Sequence, residues 1–169
     1  MNCKHILVPL DLIRGSADAL VCVQNLAAAS PVRVTLLHVI ELNIVAPTEL
    51  YDQLRAESAA ALRKLARLFF GSEQAVQISV CNGRPAERII AQAQTAMPDL
   101  IVMSGPKSRR GLRFWKRGTT QQVVNSAPCP TLVLPHRKQA GTGAPFRAEN
   151  AGAAAEICLF SAGEQAAAA

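Results

Sequence analysis

Apolar runs of strand length alternate with amphipathic stretches of helical length through the first 138 residues, and this alternation limits the folds open to the chain. The pattern predicts five strands, at residues 5–10, 32–40, 76–81, 99–103 and 131–134. It predicts four helices between them, at about residues 17–29, 49–70 and 86–95 and directly behind Gly118. Strands that alternate with helices form a parallel sheet with right-handed crossovers and helices on both faces. The pattern alone leaves the strand order open between flavodoxin-like and Rossmann-like arrangements.

Individual residues predict where some of these elements begin and end. Thr48 is placed to cap the second helix, and Gly71 is placed to end it. Pro85 suits the first position of the third helix, because its missing N–H would have no helical partner there in any case. The third strand alternates apolar and polar residues, which predicts a position at an edge of the sheet.

Composition narrows the class of protein further. A chain of 169 residues favours one domain, and half apolar residues with only 4% aromatics predict an aliphatic core. The start of the chain does not resemble a signal peptide, and no apolar run reaches the ~18 residues of a membrane span. The five cysteines are scattered and never form a Cys-x2-Cys pair. This pattern predicts reduced thiols in a cytoplasmic protein and disfavours zinc.

The positive charge of the chain is concentrated in one loop. Residues 139–169 carry one Arg and three Glu, so that the net charge of +6 leaves +8 on residues 1–138. Six of the positive side chains lie within residues 107–117, which contain no acidic residue. Such a loop could neutralise a triphosphate, contact nucleic acid or simply face solvent. Phe114 and Trp115 interleave with the charges, but no nucleic-acid fold motif accompanies them.

The same loop separates a predicted strand from a predicted helix. Gly105 follows the strand, and Gly118 and Thr119 precede the helix. Main-chain amides at a helix N-terminus and the positive end of the helix dipole favour an anion, so this arrangement predicts a phosphate cradle. We expect its glycines to supply positive φ angles and a close approach to phosphate oxygens. The sequence shows no P-loop, no nucleophile elbow and no His-Glu-x2-His, which argues against an efficient enzyme.

Spacing within this region resembles the universal stress protein family. Gly105-x2-Ser108-x9-Gly118-Thr119 is similar to the Gly-x2-Gly-x9-Gly-Ser/Thr motif of the family's nucleotide-binding members. Ser108 stands where that motif has its second glycine, and Pro106 removes one amide donor. Three further stretches look like the family's. They are Ser-Arg-Arg-Gly-Leu from residue 108, Ala-Pro-Cys-Pro from residue 127 and Gly-Arg-Pro-Ala-Glu from residue 83.

The resemblance implies a five-stranded parallel sheet of order 3-2-1-4-5, Rossmann-like and adenine nucleotide alpha hydrolase-like. It also implies ATP, accompanied by Mg2+, bound outside the carboxyl ends of the central strands. Asp11 would hold the ribose or the metal, and the main chain of Val39 and Ile40 would meet adenine. Gly105, Ser108, Gly118 and Thr119 would cradle the phosphates. The remaining nucleotide-site residues that it implies are Pro9, Leu10, Met103, Lys107, Arg109 and Thr120.

The resemblance also bears on assembly and domain organisation. It implies a homodimer that pairs through the last strand, Thr131–Leu134, whose apolar edge would otherwise invite aggregation. Residues 1–138 would form the stress-protein domain. The Ala- and Gly-rich residues 139–169 predict a largely disordered tail, with at most a transient helix near residues 151–160. His38 is interpreted as a strand residue for which the sequence identifies no partner.

The sequence therefore predicts an ATP-binding, cytoplasmic stress sensor or regulator that does not turn its nucleotide over. Two alternatives remain open on the same fold. One is a nucleotide-free dimeric interaction protein, and the other is a nucleic-acid-associated protein that uses the loop of residues 107–117.

Overall fold

A computed structural model describes residues 3–12, 17–42, 47–71, 76–105 and 118–135, and the backbone of residues 158–160. The predicted site residues Lys107, Ser108 and Arg109, and the whole basic loop of residues 107–117, lie outside these ranges. So does the tail of residues 139–169, apart from residues 158–160.

Strands and helices alternate as the sequence predicts. The strands are β1 (His5–Pro9), β2 (Arg33–Ile40), β3 (Val76–Asn82), β4 (Leu100–Ser104), β5 (Thr131–Leu134) and β6 (Cys158–Phe160). The helices are α1 (Ala17–Ala29), α2 (Thr48–Phe70), α3 (Pro85–Ala96) and α4 (Thr119–Ser126).

The sheet has the order β3-β2-β1-β4-β5-β6. Its first five strands are parallel, which confirms the predicted order 3-2-1-4-5 and the edge position of β3. β6 is an addition to the predicted sheet and runs antiparallel to β5. Residues 158–160 are thus a strand, and the prediction of at most a transient helix there is wrong. An apolar sequence next to an open strand edge gains ladder hydrogen bonds that an isolated helical turn cannot provide.

Two apolar layers enclose the sheet, because successive residues of a strand point to opposite faces. Ile6 and Val8 of β1 pack on one side with α1 and α2, through residues such as Leu20 and Leu62. Leu7 packs on the other side with α3 and α4, through residues that include Ile89 and Val123. The central strands are therefore covered on both faces, as expected for a parallel sheet.

Helix boundaries follow the sequence signals at two of three positions. Gly71 ends α2 in the left-handed conformation (φ 72°), and its N–H donates to the Arg67 carbonyl at 3.0 Å. Pro85 is the first residue of α3, as predicted. The predicted cap at Thr48 is wrong, because Thr48 is already helical and the cap residue is Pro47, which makes no side-chain hydrogen bond.

Polar groups tie the strands together at the amino-terminal rim of the sheet. The Asp99 carboxylate accepts hydrogen bonds from the main-chain N–H groups of Lys4 (2.8 Å) and His5 (2.9 Å), and these bonds lower the pKa of its carboxyl group. His5 Nε2 and the Thr35 hydroxyl are hydrogen-bonded at 2.8 Å, and Thr35 donates to Gln77 Oε1 at 3.4 Å. These contacts connect β3, β2, β1 and the start of β4.

Among the described residues, no helix combines the length and the hydropathy needed to span a bilayer.

Candidate functional site

The carboxyl ends of β1 and β4 lie side by side at the point where the chain changes face. β1 and β4 are neighbours in the sheet, yet the helices that follow them, α1 and α4, pack on opposite faces. Chain segments leaving two such strands diverge and open a crevice, which is where open α/β sheets bind ligands. Of the predicted site residues, Pro9 and Leu10 are buried at the end of β1, and Met103 is buried near the end of β4.

A cavity of about 300 Å³ opens on the α3/α4 side of this rim. The helix N-termini of α3 and α4 both border it, since Pro85 is the first residue of α3 and Thr119 is the first residue of α4. Its lining residues are Glu41, Arg84, Pro85, Ala86, Glu87, Thr119 and Gln122. This volume is at the lower end of the range typical of small-molecule sites.

Electrostatics make the two sides of the cavity unlike. Arg84 Nη1 lies 3.2 Å from Glu87 Oε1, but both side chains are mostly exposed (82% and 64%), so the pair contributes little stability. With Glu41, the α3 side carries two carboxylates against one guanidinium. The α4 side presents an uncharged helix N-terminus with the positive end of its dipole. An anionic group therefore fits best against α4.

The residue that precedes α4 offers no side chain to the first amides of the helix. Gly118 is the cap residue, with φ −76° and ψ 155°, and its carbonyl accepts a hydrogen bond from the Gln122 N–H at 3.2 Å. As a glycine, the cap residue has no side chain to bond the first amides of the helix, which are those of Thr119 and Thr120. Two of the predicted phosphate-binding residues therefore stand where main-chain donors point away from the helix end.

The glycines of the cradle do not have the positive φ angles that the sequence predicts. Gly118 is in an extended conformation that any residue adopts, and positive φ among the described glycines occurs at Gly71 and Gly83. Gly105 is small for another reason, because a Cβ there would lie 3.1 Å from the Leu134 carbonyl oxygen. The Gly105 N–H donates to that same oxygen at 2.7 Å. Close packing of β4 against β5, and not backbone conformation, explains this glycine.

The end of β2 extends past the end of β1. The last paired residues of β1 and β2 are Pro9 and Leu37, so Val39 lies beyond the end of β1. The main-chain groups of Ile40 point to β3, and the Ile40 carbonyl accepts a hydrogen bond from the Gly83 N–H at 3.0 Å. Because successive residues of a strand direct their main-chain groups to alternate neighbours, the groups of Val39 point to the β1 side. Of the two predicted adenine contacts, Val39 is thus the better placed.

His38 has a partner that sequence reasoning missed. Its Nδ1 lies 2.9 Å from the Leu10 carbonyl oxygen. A carbonyl can only accept, so Nδ1 carries the proton and donates. Leu10 also donates its own N–H to the Leu37 carbonyl at 2.8 Å. The segment between β1 and Asp11 is therefore fixed to β2 by two hydrogen bonds.

Asp11 borders a second and smaller cavity. It is exposed, and it lines a space of about 190 Å³ on the α1/α2 side. The other lining residues are apolar: Leu10, Leu12, Ala17, Leu20, Leu65 and Phe69. The structure brings Leu10 and Asp11 together here, whereas Thr119 lines the larger cavity. A ligand that contacts both Asp11 and Thr119 has to cross the crevice between β1 and β4.

Sequence reasoning also missed part of the larger cavity. The sequence predicted only a helix start and a family resemblance for residues 83–87, and it did not single out Glu41 or Gln122. The order of elements could have revealed these residues, because Glu41 follows β2 and Arg84 precedes α3, and both positions lie at the carboxyl rim of the sheet. The Ser104 hydroxyl, at the end of β4, is a further missed group, buried without a hydrogen-bond partner among the described residues.

The side chains of the described residues do not assemble a metal centre of their own. Among them, no group of three or more His, Cys, Asp or Glu is close enough to hold an ion. Mg2+ in nucleotide sites is bound through one or two carboxylates together with phosphate oxygens. The exposed carboxylate of Asp11 fits that lesser requirement.

Comparison with known proteins adds the family. The model of the universal stress protein family matches residues 2–135. Universal stress protein Sll1654 of Synechocystis sp. is 32% identical over 139 residues, which cover 78% of this chain and 85% of that protein. The structure is similar to that of UspA from Lactobacillus plantarum, with a TM-score of 0.61, 24% identity and coverage of 81% and 99% of the two chains. It is also similar to a universal stress protein of Archaeoglobus fulgidus in complex with dAMP, with a TM-score of 0.56, 19% identity and coverage of 79% and 98%.

Proposed function

The chain belongs to the universal stress protein family, and from this membership we propose that it binds an adenine nucleotide, ATP with Mg2+, as a cytoplasmic stress sensor or regulator. The observation that carries the proposal is the N-terminus of α4, which begins directly after a glycine and borders a cavity of about 300 Å³ at the carboxyl rim of the sheet. Amides and dipole at such an end favour a phosphate. The relative from A. fulgidus, solved with dAMP, makes an adenine nucleotide the first ligand to test.

Each part of the nucleotide has a group of matching chemistry within reach of the rim. The amides of Thr119 and Thr120 and the Thr119 hydroxyl donate to phosphate oxygens. The main chain of Val39 offers a donor and an acceptor to the edge of the base. Asp11 accepts hydrogen bonds from ribose hydroxyls or contacts Mg2+ that the phosphates bring.

The proposed role is binding without turnover. The cavity lining supplies two carboxylates, a guanidinium, an amide and a hydroxyl. Among the described lining residues, no His or Cys stands beside the Thr119 hydroxyl to activate it as a nucleophile. Binding at this rim can instead alter the surface formed by the surrounding loops.

Isothermal titration calorimetry with ATP and Mg2+ tests the proposal directly. We expect saturable binding by the intact chain, and Thr119→Val should weaken it at least about tenfold, because one hydrogen bond to a charged phosphate contributes about 1.5 kcal/mol or more. Thr95→Val is the matched control, since the Thr95 hydroxyl is exposed on α3 and bonds the Ala91 carbonyl of its own helix.

The proposal fails if the protein gives no binding heat with millimolar ATP and releases no nucleotide on denaturation. That result would favour the nucleotide-free interaction protein. Binding to ATP that Thr119→Val and Thr95→Val leave equally strong would contradict the assignment of α4 as the phosphate site.

A further inference from the structure

The outer edge of β5 is occupied by a segment of the same chain. β5 pairs with β4 on one side in parallel and with β6 on the other side in antiparallel. The register is defined residue by residue, with Thr131 opposite Phe160, Leu132 opposite Leu159 and Val133 opposite Cys158. Without β6, the main-chain donors and acceptors along this edge would be available to another strand.

The sequence of β5 makes it an unprotected edge. Its four residues carry no charge, and Thr131, Leu132 and Leu134 are buried. Proteins usually protect such edges with lysine, an inward charge, a bulge or a covering segment. β5 contains neither a lysine nor an inward charge. The covering strand β6 is therefore what keeps this edge from pairing with other molecules.

β6 is well suited to be displaced. It contributes only three residues, and residues 135–157 separate it from β5. Because three residues form few ladder hydrogen bonds, β6 owes its position largely to belonging to the same chain as β5, which raises its effective concentration at this edge. A competitor with more pairing residues can therefore replace it.

A second copy of the chain has the right geometry to be that competitor. Two edge strands related by a twofold axis pair in antiparallel, which is also the direction in which β6 runs along β5. A copy of β5 would offer four residues where β6 offers three. The two pairings use the same main-chain groups and exclude each other.

We propose that residues 158–160 are an intramolecular cover of the β5 edge, and that this cover competes with dimerisation of the chain through β5. In this arrangement the tail sets the fraction of dimer, and any event that sequesters the tail increases it. The inference concerns assembly alone and does not depend on nucleotide binding.

A disulfide test reports whether the cover is within one chain. Directly opposite residues of an antiparallel pair have Cα atoms about 4.5–5.5 Å apart, which a disulfide can span. In Val133→Cys, diamide should therefore oxidise the introduced thiol and the thiol of Cys158 to a disulfide, while diamide itself is reduced to the hydrazine. We expect more than half of the chains to carry this bond as monomers on a non-reducing gel. Peptide mapping assigns it.

Val133→Cys combined with Cys158→Ser is the matched control and should show no monomeric cross-link. A bond between the introduced thiol of one chain and Cys158 of another, assigned by peptide mapping, would mean that β6 is exchanged between molecules, and no bond to Cys158 at all would mean that β6 does not lie on β5. Either result overturns the proposal.

Sedimentation velocity tests the competition in the full-length chain. Leu159→Pro removes a main-chain donor and restricts the backbone of β6, so the edge of β5 should be uncovered. We expect the dimer dissociation constant to fall at least about tenfold relative to the wild type. Ala154→Pro, outside β6, controls for a proline in the tail, and circular dichroism checks that the α/β fold is retained. Equal dissociation constants for Leu159→Pro and the wild type would overturn the competition even if the disulfide forms.

Discussion

Two threonines show how the stability of this core depends on single hydrogen bonds. Thr35 and Thr131 are both only 1% exposed. The Thr35 hydroxyl is bonded to His5 Nε2 at 2.8 Å, whereas the Thr131 hydroxyl has no partner among the described residues. A buried polar group without a partner keeps its desolvation cost and gains nothing in return.

The same substitution at the two positions should therefore change stability in opposite directions. Thr131→Val replaces an unpaired hydroxyl with a methyl group of similar size and should raise the free energy of unfolding by about 1 kcal/mol. Thr35→Val leaves a buried ring nitrogen of His5 unpaired and should lower it by about 1–3 kcal/mol. Urea denaturation at pH 7 measures both, and a loss of stability in Thr131→Val would show that its hydroxyl is bonded.

His5 makes stability depend on pH below neutrality. Burial, and secondly the positive charge of Arg33, lower the pKa of His5 below its ordinary value of 6.5. The unfolded chain then binds a proton at a higher pH than the folded chain, so the free energy of unfolding falls as the pH decreases below about 6.5. Denaturation between pH 7 and pH 5 should show this decrease, and His5→Gln should make it smaller. A slope that His5→Gln leaves unchanged would assign the effect to other groups.

His38 should act on the nucleotide through the segment that it holds. Because its Nδ1 donates to the Leu10 carbonyl, replacement removes one of two bonds that fix the chain next to Asp11. We expect His38→Val to weaken ATP binding about fivefold, which corresponds to about 1 kcal/mol for a neutral hydrogen bond. His38→Asn can still donate from its amide and should recover most of the affinity in calorimetry. Equal weakening by both variants would contradict a role for the donor.

At the scale of elements, single residues predicted the helix ends that depend on backbone conformation at one position. Gly71 ends α2 because a left-handed residue is needed there, and Pro85 begins α3 because its missing N–H costs nothing at that position. Thr48 is not the cap of α2, because it is the first helical residue and Pro47 occupies the cap position. β6 could not be predicted, since three apolar residues form a strand only when a distant edge is available to pair with them.

Gly105 and Gly118 should differ in their tolerance of a side chain, although both belong to one sequence motif. In Gly105→Ala the new Cβ would meet the Leu134 carbonyl oxygen at 3.1 Å, so we expect a loss of about 1–3 kcal/mol in the free energy of unfolding. Gly118→Ala keeps an allowed φ of −76° and should cost less than about 1 kcal/mol. Thermal unfolding monitored by circular dichroism compares the two, and the opposite ranking would contradict the packing explanation.

For the whole molecule, the sequence predicted the rim at which the candidate site lies but not the shape of the cavity there. Alternation predicts a parallel sheet and the family resemblance supplies the order of its strands, and that order fixes where the chain diverges after β1 and β4. The lining of the larger cavity joins Glu41, Arg84 and Thr119, which are far apart in the chain. Their meeting depends on how α3 and α4 pack on the sheet. No sequence spacing encodes that packing directly.

The amino-terminal rim of the sheet is joined by hydrogen bonds, whereas the carboxyl rim borders the two cavities. Hydrogen bonds connect the starts of four strands on the side away from both cavities. They involve Asp99, His5, Thr35 and Gln77. A molecule that binds at the opposite rim does not contact these hydrogen bonds, so they can remain intact. The scaffold can thus stay rigid when a ligand binds at the carboxyl ends of its strands.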